Sequence, residues 1–303
     1  MRGVFVDANG SLADILARQQ VAGDPPVAIN RNADITPDQM PALLDGAGIV
    51  IIDHTPLPTE IARRCTGLKH VVFLGTGARS YMHPEELGEL GIEVHLIKGY
   101  GDTAVAECAV GLMWSAARGI ARMDREMRAG NWLREDGMQL TGKTLGLIGF
   151  GGIAAEVARI AGGSGMKVIA SNRTPKSAAG VEFVTLDALL AQSDVVSLHL
   201  LLNDDTRGFL TRAHIAAMKP GVLLINTARG ALVDEAAMIE ALNSGHIRHA
   251  GLDVFNVEPL PADHPLTKLP NVTLSAHSAF RTPEANENLI RAAWEHCRRI
   301  AKG

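Results

Sequence analysis

Short apolar, β-branched runs alternate with helix-length segments along almost the whole chain. Gly3–Asp7, Val27–Ile29, Gly48–Ile52, Lys69–Leu74 and Glu93–Ile97 are expected strands. Helical patterns near Leu12–Gln20, Thr36–Leu44, Pro58–Cys65 and Pro84–Leu90 separate them, and Thr36-Pro37 offers a capping hydroxyl followed by a first-turn proline. A second series follows one long apolar helix, Thr103–Arg128. Its expected strands are Thr144–Gly149, Lys167–Ser171, Asp194–Leu198, Val222–Asn226, Arg248–Asp253 and Val272–Ser275, and a helix over Pro283–Lys302 comes last. Most of these strands are continuously apolar, as in parallel sheets covered by helices on both faces. The pattern therefore predicts an α/β chain with two doubly wound parallel-sheet domains, the second with six strands. The long helix is apolar nearly all round at its start, which suits either packing at a domain junction or a subunit interface.

Composition narrows the class. The chain has 303 residues, 47% of them hydrophobic, with a net charge of −4. That length suits two domains, and the absence of a basic block speaks against a nucleic-acid partner. No apolar run reaches the ~18 residues of a membrane span. The opening Met1-Arg2-Gly3-Val4-Phe5-Val6-Asp7 reads as a strand, because an acid interrupts the apolar run that a signal peptide needs. Cys65, Cys108 and Cys297 lie far apart with no C-x-x-C pair, which predicts reduced thiols in a cytoplasmic protein and no zinc frame. His54, His70, His83 and His264 show no metal-ligand spacing and read as structural or surface residues, so no metal is expected.

The strand ending at Ile148 runs into Gly149-Phe150-Gly151-Gly152-Ile153-Ala154, a G-x-G-x-x-A turn that opens a helix. The first glycine allows the tight turn, the second lets backbone approach a pyrophosphate, and the small third residue lets helix and strand pack closely. Helix-start amides and the helix dipole then favour the phosphates. NAD-preferring sites place an acid ~20 residues on, at the end of the next strand. Here that strand ends in Ser171-Asn172-Arg173-Thr174, and the acid is missing. Arg173 can pair with a 2′-phosphate, and Ser171, Asn172 and Thr174 add neutral donors, which favours NADP(H) while leaving NAD(H) possible.

Three later segments end neighbouring strands. Asn226-Thr227-Ala228-Arg229-Gly230 follows the first. Gly251-Leu252-Asp253-Val254-Phe255, with Glu258-Pro259 just after it, ends the second, and Thr273-Leu274-Ser275-Ala276-His277 ends the third. Ligands bind at carboxyl strand ends in open α/β sheets. There an arginine can fork onto a carboxylate, a histidine can exchange a proton, and a glutamate can hold the imidazole.

With these residues the chain resembles the D-isomer-specific 2-hydroxyacid dehydrogenase family, of the glyoxylate/hydroxypyruvate reductase-like type, over most of its length. The matching stretches include Val105-Ala106-Glu107, Gly130-Asn131-Trp132, Leu140-Thr141-Gly142-Lys143-Thr144 and the glycine turn. Others are Met218-Lys219-Pro220-Gly221, Asn226 to Gly230, Leu252 to Phe255 with Glu258-Pro259, and His277. The resemblance implies a Rossmann cofactor domain, residues 101–280, inserted in a flavodoxin-like substrate domain, residues 1–100 plus 281–303, with the active site in the cleft. It implies hydride transfer between NADP(H) or NAD(H) and a small 2-oxo or D-2-hydroxy acid, with Arg229, Glu258 and His277 catalytic. Thr103, Gly149, Gly151, Gly152, Ile153, Thr227, Ala228 and Asp253 would join Ser171 to Thr174 at the cofactor, Asp253 seating the nicotinamide carboxamide. Gly75, Thr76 and Gly77 would hold the substrate carboxylate together with Arg229, and a homodimer is implied. The chain departs from the family pattern at Arg79, Cys108 and Leu201; Arg79, Tyr100, Phe280 and Arg281 are candidate specificity residues. A dinucleotide-sensing, corepressor-like protein of the same fold is the rival reading, with a formate-oxidising relative further behind.

Overall fold

The computed structural model describes residues 1–174 and 176–302; Gly303, the end of the expected substrate domain, lies outside them. The chain forms two compact units, Met1–Gly101 with Arg281–Gly303, and Asp102–Phe280. The first carries strands β1 (Gly3–Phe5), β2 (Val27–Ile29), β3 (Ile49–Ile52), β4 (His70–Phe73) and β5 (Glu93–Leu96) in the order β2-β1-β3-β4-β5. All pairs are parallel. This is the flavodoxin-like order. β3, Ile49-Val50-Ile51-Ile52, is buried on both faces because helices cover both. One face packs on Leu12, Leu16, Leu289 and Trp294. Trp294 anchors the closing helix Pro283–Ala301 by donating its indole N–H to the Leu16 carbonyl at 3.1 Å.

The second unit holds β6 (Thr144–Ile148), β7 (Lys167–Ser171), β8 (Val181–Phe183), β9 (Val195–Leu198), β10 (Val222–Asn226), β11 (Ile247–Leu252) and β12 (Val272–Leu274). Their order is β12-β11-β10-β9-β6-β7-β8, again all parallel. The sheet reverses direction of growth between β6 and β9, the crevice at which such folds bind dinucleotides.

Two expectations about this unit need correction. The sheet has seven strands, not six: β8 is a three-residue edge strand with none of its side chains fully buried, too short for its apolar period to stand out. Its Phe183 packs edge-on against Phe150 of the glycine turn, ring centroids 5.1 Å apart. The long helix is two, Asp102–Arg118 and Ile120–Arg128. Gly119 stands between them at φ 64°, a left-handed conformation that breaks the helical ladder. The first helix is core, with Ala106, Ala109, Leu112, Met113, Ala116 and Ala117 packed among sheet and helix side chains of the same unit. The second buries no residue, and its Ile120 and Met127 are exposed, as is Trp132 just beyond it. Among the described residues no helix is long and apolar enough to cross a membrane.

Candidate active site

The glycine turn is built as its residue types require. Gly149 sits at φ 86°, and a Cβ there would lie 2.8 Å from the His199 carbonyl oxygen. The Gly149 amide donates to the Ser171 carbonyl at 2.9 Å, which ties the turn to the end of β7. A Cβ on Gly151 would meet nothing within 4 Å, so that side is open to a ligand. Gly151 caps the helix Gly152–Gly163 without a side-chain hydrogen bond, leaving the first-turn amides for an anion. Ala154 is fully buried, as close packing of helix and strand demands.

Gly152 has a separate reason to be glycine. A Cβ there would lie 1.8 Å from Asp102 Oδ2. The adjacent Thr103, expected at the cofactor, is exposed, and it is Asp102 that meets the turn. Burial, with Glu156 nearby, holds the Asp102 carboxyl above its usual pKa. No motif marks that residue, since only the fold brings it against the turn.

At the end of β7, Asn172 shapes the turn: its Oδ1 accepts from the Phe150 amide at 3.0 Å and its Nδ2 donates to the Thr174 carbonyl at 2.8 Å. Arg173 is almost fully exposed and lies 3.8 Å from Asp205. Lys176, unmarked in the sequence, donates to the Phe150 carbonyl at 2.6 Å and adds a second cation there. Across the sheet, Thr227 is buried and its hydroxyl has no protein partner. A buried hydroxyl without a partner costs free energy unless a ligand satisfies it. The open glycine cradle and this orphaned hydroxyl together fit a dinucleotide.

The strand-end residues follow three adjacent strands, β10, β11 and β12. Asn226, nearly fully buried, accepts from the Ala228 amide and donates to the Arg229 carbonyl, both at 2.9 Å, so it clamps the turn that presents Arg229. A Cβ on Gly230 would lie 2.2 Å from the Phe255 carbonyl carbon, which shows how closely the Arg229 turn meets the segment leading to Glu258. Glu258 is held by the Phe255 amide at 2.9 Å, and its other oxygen lies 2.6 Å from His277 Nδ1. Both side chains are about one-third exposed, within reach of a ligand yet partly shielded.

His277 is a non-glycine residue at φ 45°. Such a conformation costs ~1–3 kcal/mol and persists only where surroundings impose it. Asp253 imposes it. Fully buried, it accepts from the Ser278 and Ala279 amides, each at 3.0 Å, and from the Ser275 hydroxyl, while its own carbonyl accepts from the His277 amide at 2.8 Å. The carboxylate expected to face the nicotinamide is thus first the anchor of the histidine loop. Burial pulls the pKa of His199, which follows β9 beside the glycine turn, down to about 4, so its ring is neutral at physiological pH.

In the first unit, Gly75-Thr76-Gly77 follows β4 at the carboxyl end of its sheet. Gly75 donates to the Phe73 carbonyl at 2.8 Å and accepts from the Ile97 amide at 3.1 Å. Arg79 is paired with Glu85, so its charge is already partnered.

Comparison with known proteins gives a consistent picture. The family model for the NAD-binding domain of D-isomer specific 2-hydroxyacid dehydrogenases matches residues 110–279. A hydroxypyruvate reductase of Thermotoga maritima is 40% identical over 247 residues, 80% of each chain. A Thermus thermophilus protein of known structure superposes with a TM-score of 0.89 at 34% identity, covering 100% of this chain and 97% of that one. An acyclic imino acid reductase, solved in complex with NADPH and D-Arg, gives 0.87 at 28% identity, covering 100% and 97%.

Proposed function

The chain belongs to the D-isomer-specific 2-hydroxyacid dehydrogenase family, and from that premise we propose that it is an NADP-preferring reductase of small 2-oxo acids, with hydroxypyruvate the first substrate to test. It is an oxidoreductase that binds a nicotinamide dinucleotide and interconverts 2-oxo and D-2-hydroxy acids. The corepressor-like reading finds no support among its relatives.

The observation that carries the chemical assignment is the 2.6 Å contact between His277 Nδ1 and Glu258, at strand ends next to that of Arg229. With Nδ1–H donated to the carboxylate, Nε2 is the nitrogen that exchanges the proton. Arg229 forks onto the substrate carboxylate and polarises the adjacent carbonyl. When bound, the dinucleotide supplies the hydride that reduces the keto carbon. His277 gives its Nε2 proton to the carbonyl oxygen as that oxygen becomes a hydroxyl, and Glu258 stabilises the imidazolium from which the proton leaves. The backbone amides of Thr76 and Gly77 are assigned to the substrate carboxylate, because glycine-rich backbone can approach an anion closely. Thr227 and Ala228 are assigned to the cofactor, and Asp253, from its place behind the histidine loop, to the nicotinamide end.

NADP preference rests on the missing acid at the end of β7 and on Arg173 and Lys176 beside it. Following NADPH and NADH oxidation with a panel of 2-oxo acids, including hydroxypyruvate and glyoxylate, tests both halves of the proposal. NADPH should show the lower KM, and Arg173→Ser should raise that KM ~10-fold or more, the worth of one charge-assisted hydrogen bond, with little change for NADH. Equal losses with both cofactors would remove Arg173 from the 2′-phosphate.

A homodimer is proposed through the exposed apolar side chains of Ile120, Met127 and Trp132. Light scattering should give twice the chain mass of 32.2 kDa, and Trp132→Asp with Ile120→Asp should shift the population towards monomer. The free cysteines suit the reducing cytoplasm in which we place the enzyme.

A further inference from the structure

At one edge of the first unit's sheet, three potential metal ligands meet on two neighbouring strands. β4 begins at His70 and the edge strand β5 begins at Glu93, and these two residues are partners in register. His95 follows two residues after Glu93, so the period of a strand sends both side chains to the same face. His70 Nδ1 and His95 Nε2 lie 3.2 Å apart. The Glu93 carboxylate lies 3.7 Å from His70 Nδ1 and 3.6 Å from His95 Nδ1. One donor atom from each of the three residues falls within 4.8 Å of the other two. His95 is buried, His70 half-buried and Glu93 exposed, so the cluster opens to solvent on the side of the flexible carboxylate.

We propose that His70 Nδ1, His95 Nε2 and a Glu93 carboxylate oxygen form a binding site for a divalent transition-metal ion of the zinc type, with water completing the coordination. Two imidazole nitrogens and a carboxylate oxygen are a donor set for zinc, nickel or copper, whereas calcium and magnesium prefer oxygens alone. Zinc–nitrogen bonds of ~2.0–2.1 Å at a tetrahedral angle hold two ligand nitrogens ~3.4 Å apart. The two nitrogens already stand 3.2 Å apart, so modest ring rotations that turn both lone pairs to one point, with a swing of the exposed glutamate, complete the site.

Without metal the two rings are joined by one hydrogen bond. Arg299 Nη2, on the closing helix, donates to His95 Nδ1 at 3.3 Å and to His296 Nδ1 at 2.9 Å. His95 therefore carries its hydrogen on Nε2 and donates it to His70. Binding a metal at Nε2 moves that hydrogen to Nδ1, where Arg299 can no longer donate. Arg299 thus opposes the ion twice, by its charge and by the tautomer it stabilises. A metal here would join β5, an exposed sheet edge, to its neighbour β4.

The test is calorimetric titration of the full chain, purified without a polyhistidine tag, with zinc chloride, and with Co²⁺ as an optical probe of nitrogen and oxygen ligation. One saturable equivalent assigned to this site, and a rise in melting temperature with zinc, are expected. Glu93→Gln, at an exposed position that leaves the core intact, should weaken that equivalent ~10–100-fold, and His70→Gln at least as much. Arg299→Met should tighten it, a gain that general damage to the fold would not produce. Absence of saturable uptake in the wild type would overturn the proposal, as would an affinity unchanged by Glu93→Gln and His70→Gln. Circular dichroism establishes that each variant is folded before it is compared.

Discussion

Replacing His277 by alanine is expected to lower kcat by ~10²–10⁴ while leaving the dissociation constant for the dinucleotide nearly unchanged, the signature of a lost general acid. The reason lies in the division of labour across the sheet. The glycine cradle follows β6 and the orphaned Thr227 hydroxyl follows β10, whereas His277 stands on the loop after β12 and meets Glu258 at 2.6 Å. Removing the ring deletes the proton donor without touching the groups assigned to the phosphates. Stopped-flow turnover and fluorescence titration of bound NADPH measure the two quantities separately. Turnover within a few-fold of wild type would exclude His277 from the chemistry. Glu258→Gln should act in the same direction but less, since the amide still holds the ring while no longer stabilising its charge.

The second large effect is expected at Asp253. Asp253→Ala strands the part-buried Ser278 amide and the buried Ala279 amide, the latter at a cost of ~1–3 kcal/mol, and frees a loop that holds His277 in a left-handed conformation. A loss of ~2–4 kcal/mol should lower the melting temperature of that unit by ~5–15 °C. Activity should fall further than stability explains, because the imidazole loses its aim. Asp253→Asn keeps the shape but turns one acceptor into a donor facing an amide, so it should rank between alanine and wild type. Thermal denaturation followed by circular dichroism, beside kcat at a temperature where every variant is folded, separates the two contributions. An Asp253→Ala protein as stable as wild type would show that the loop is held by something else.

Much of this was legible in the residues. Strands such as Val222–Asn226 and Val195–Leu198 are buried on both faces, so their apolar runs are unbroken and their ends mark where Arg229 and its neighbours emerge. What stayed hidden has physical reasons. β8 is three residues at an edge, where half-buried side chains leave no period to detect. Gly119 reads as one glycine in a helical pattern, and only its left-handed backbone shows that the helix ends there. Asp102 and Lys176 reach the glycine turn from other elements, and local sequence does not encode that approach. The same holds for His70, Glu93 and His95. Their spacing along the chain matches no ligand motif, and strand pairing alone unites them.

The edge strand β8 carries a consequence beyond its own three residues. With Phe183 set against Phe150, and Asn172 and Lys176 bonded to the same turn, the stretch that would distinguish one dinucleotide from another is fastened at both ends. The residues assigned to the reaction follow β10, β11 and β12, on the opposite half of the sheet. On the proposed assignment, cofactor choice and bond-making are written in separable paragraphs of one chain. A lineage could exchange the segment between β7 and β8 as a cassette, matching its reductant to the redox pool of a new cell, and inherit the catalytic apparatus untouched.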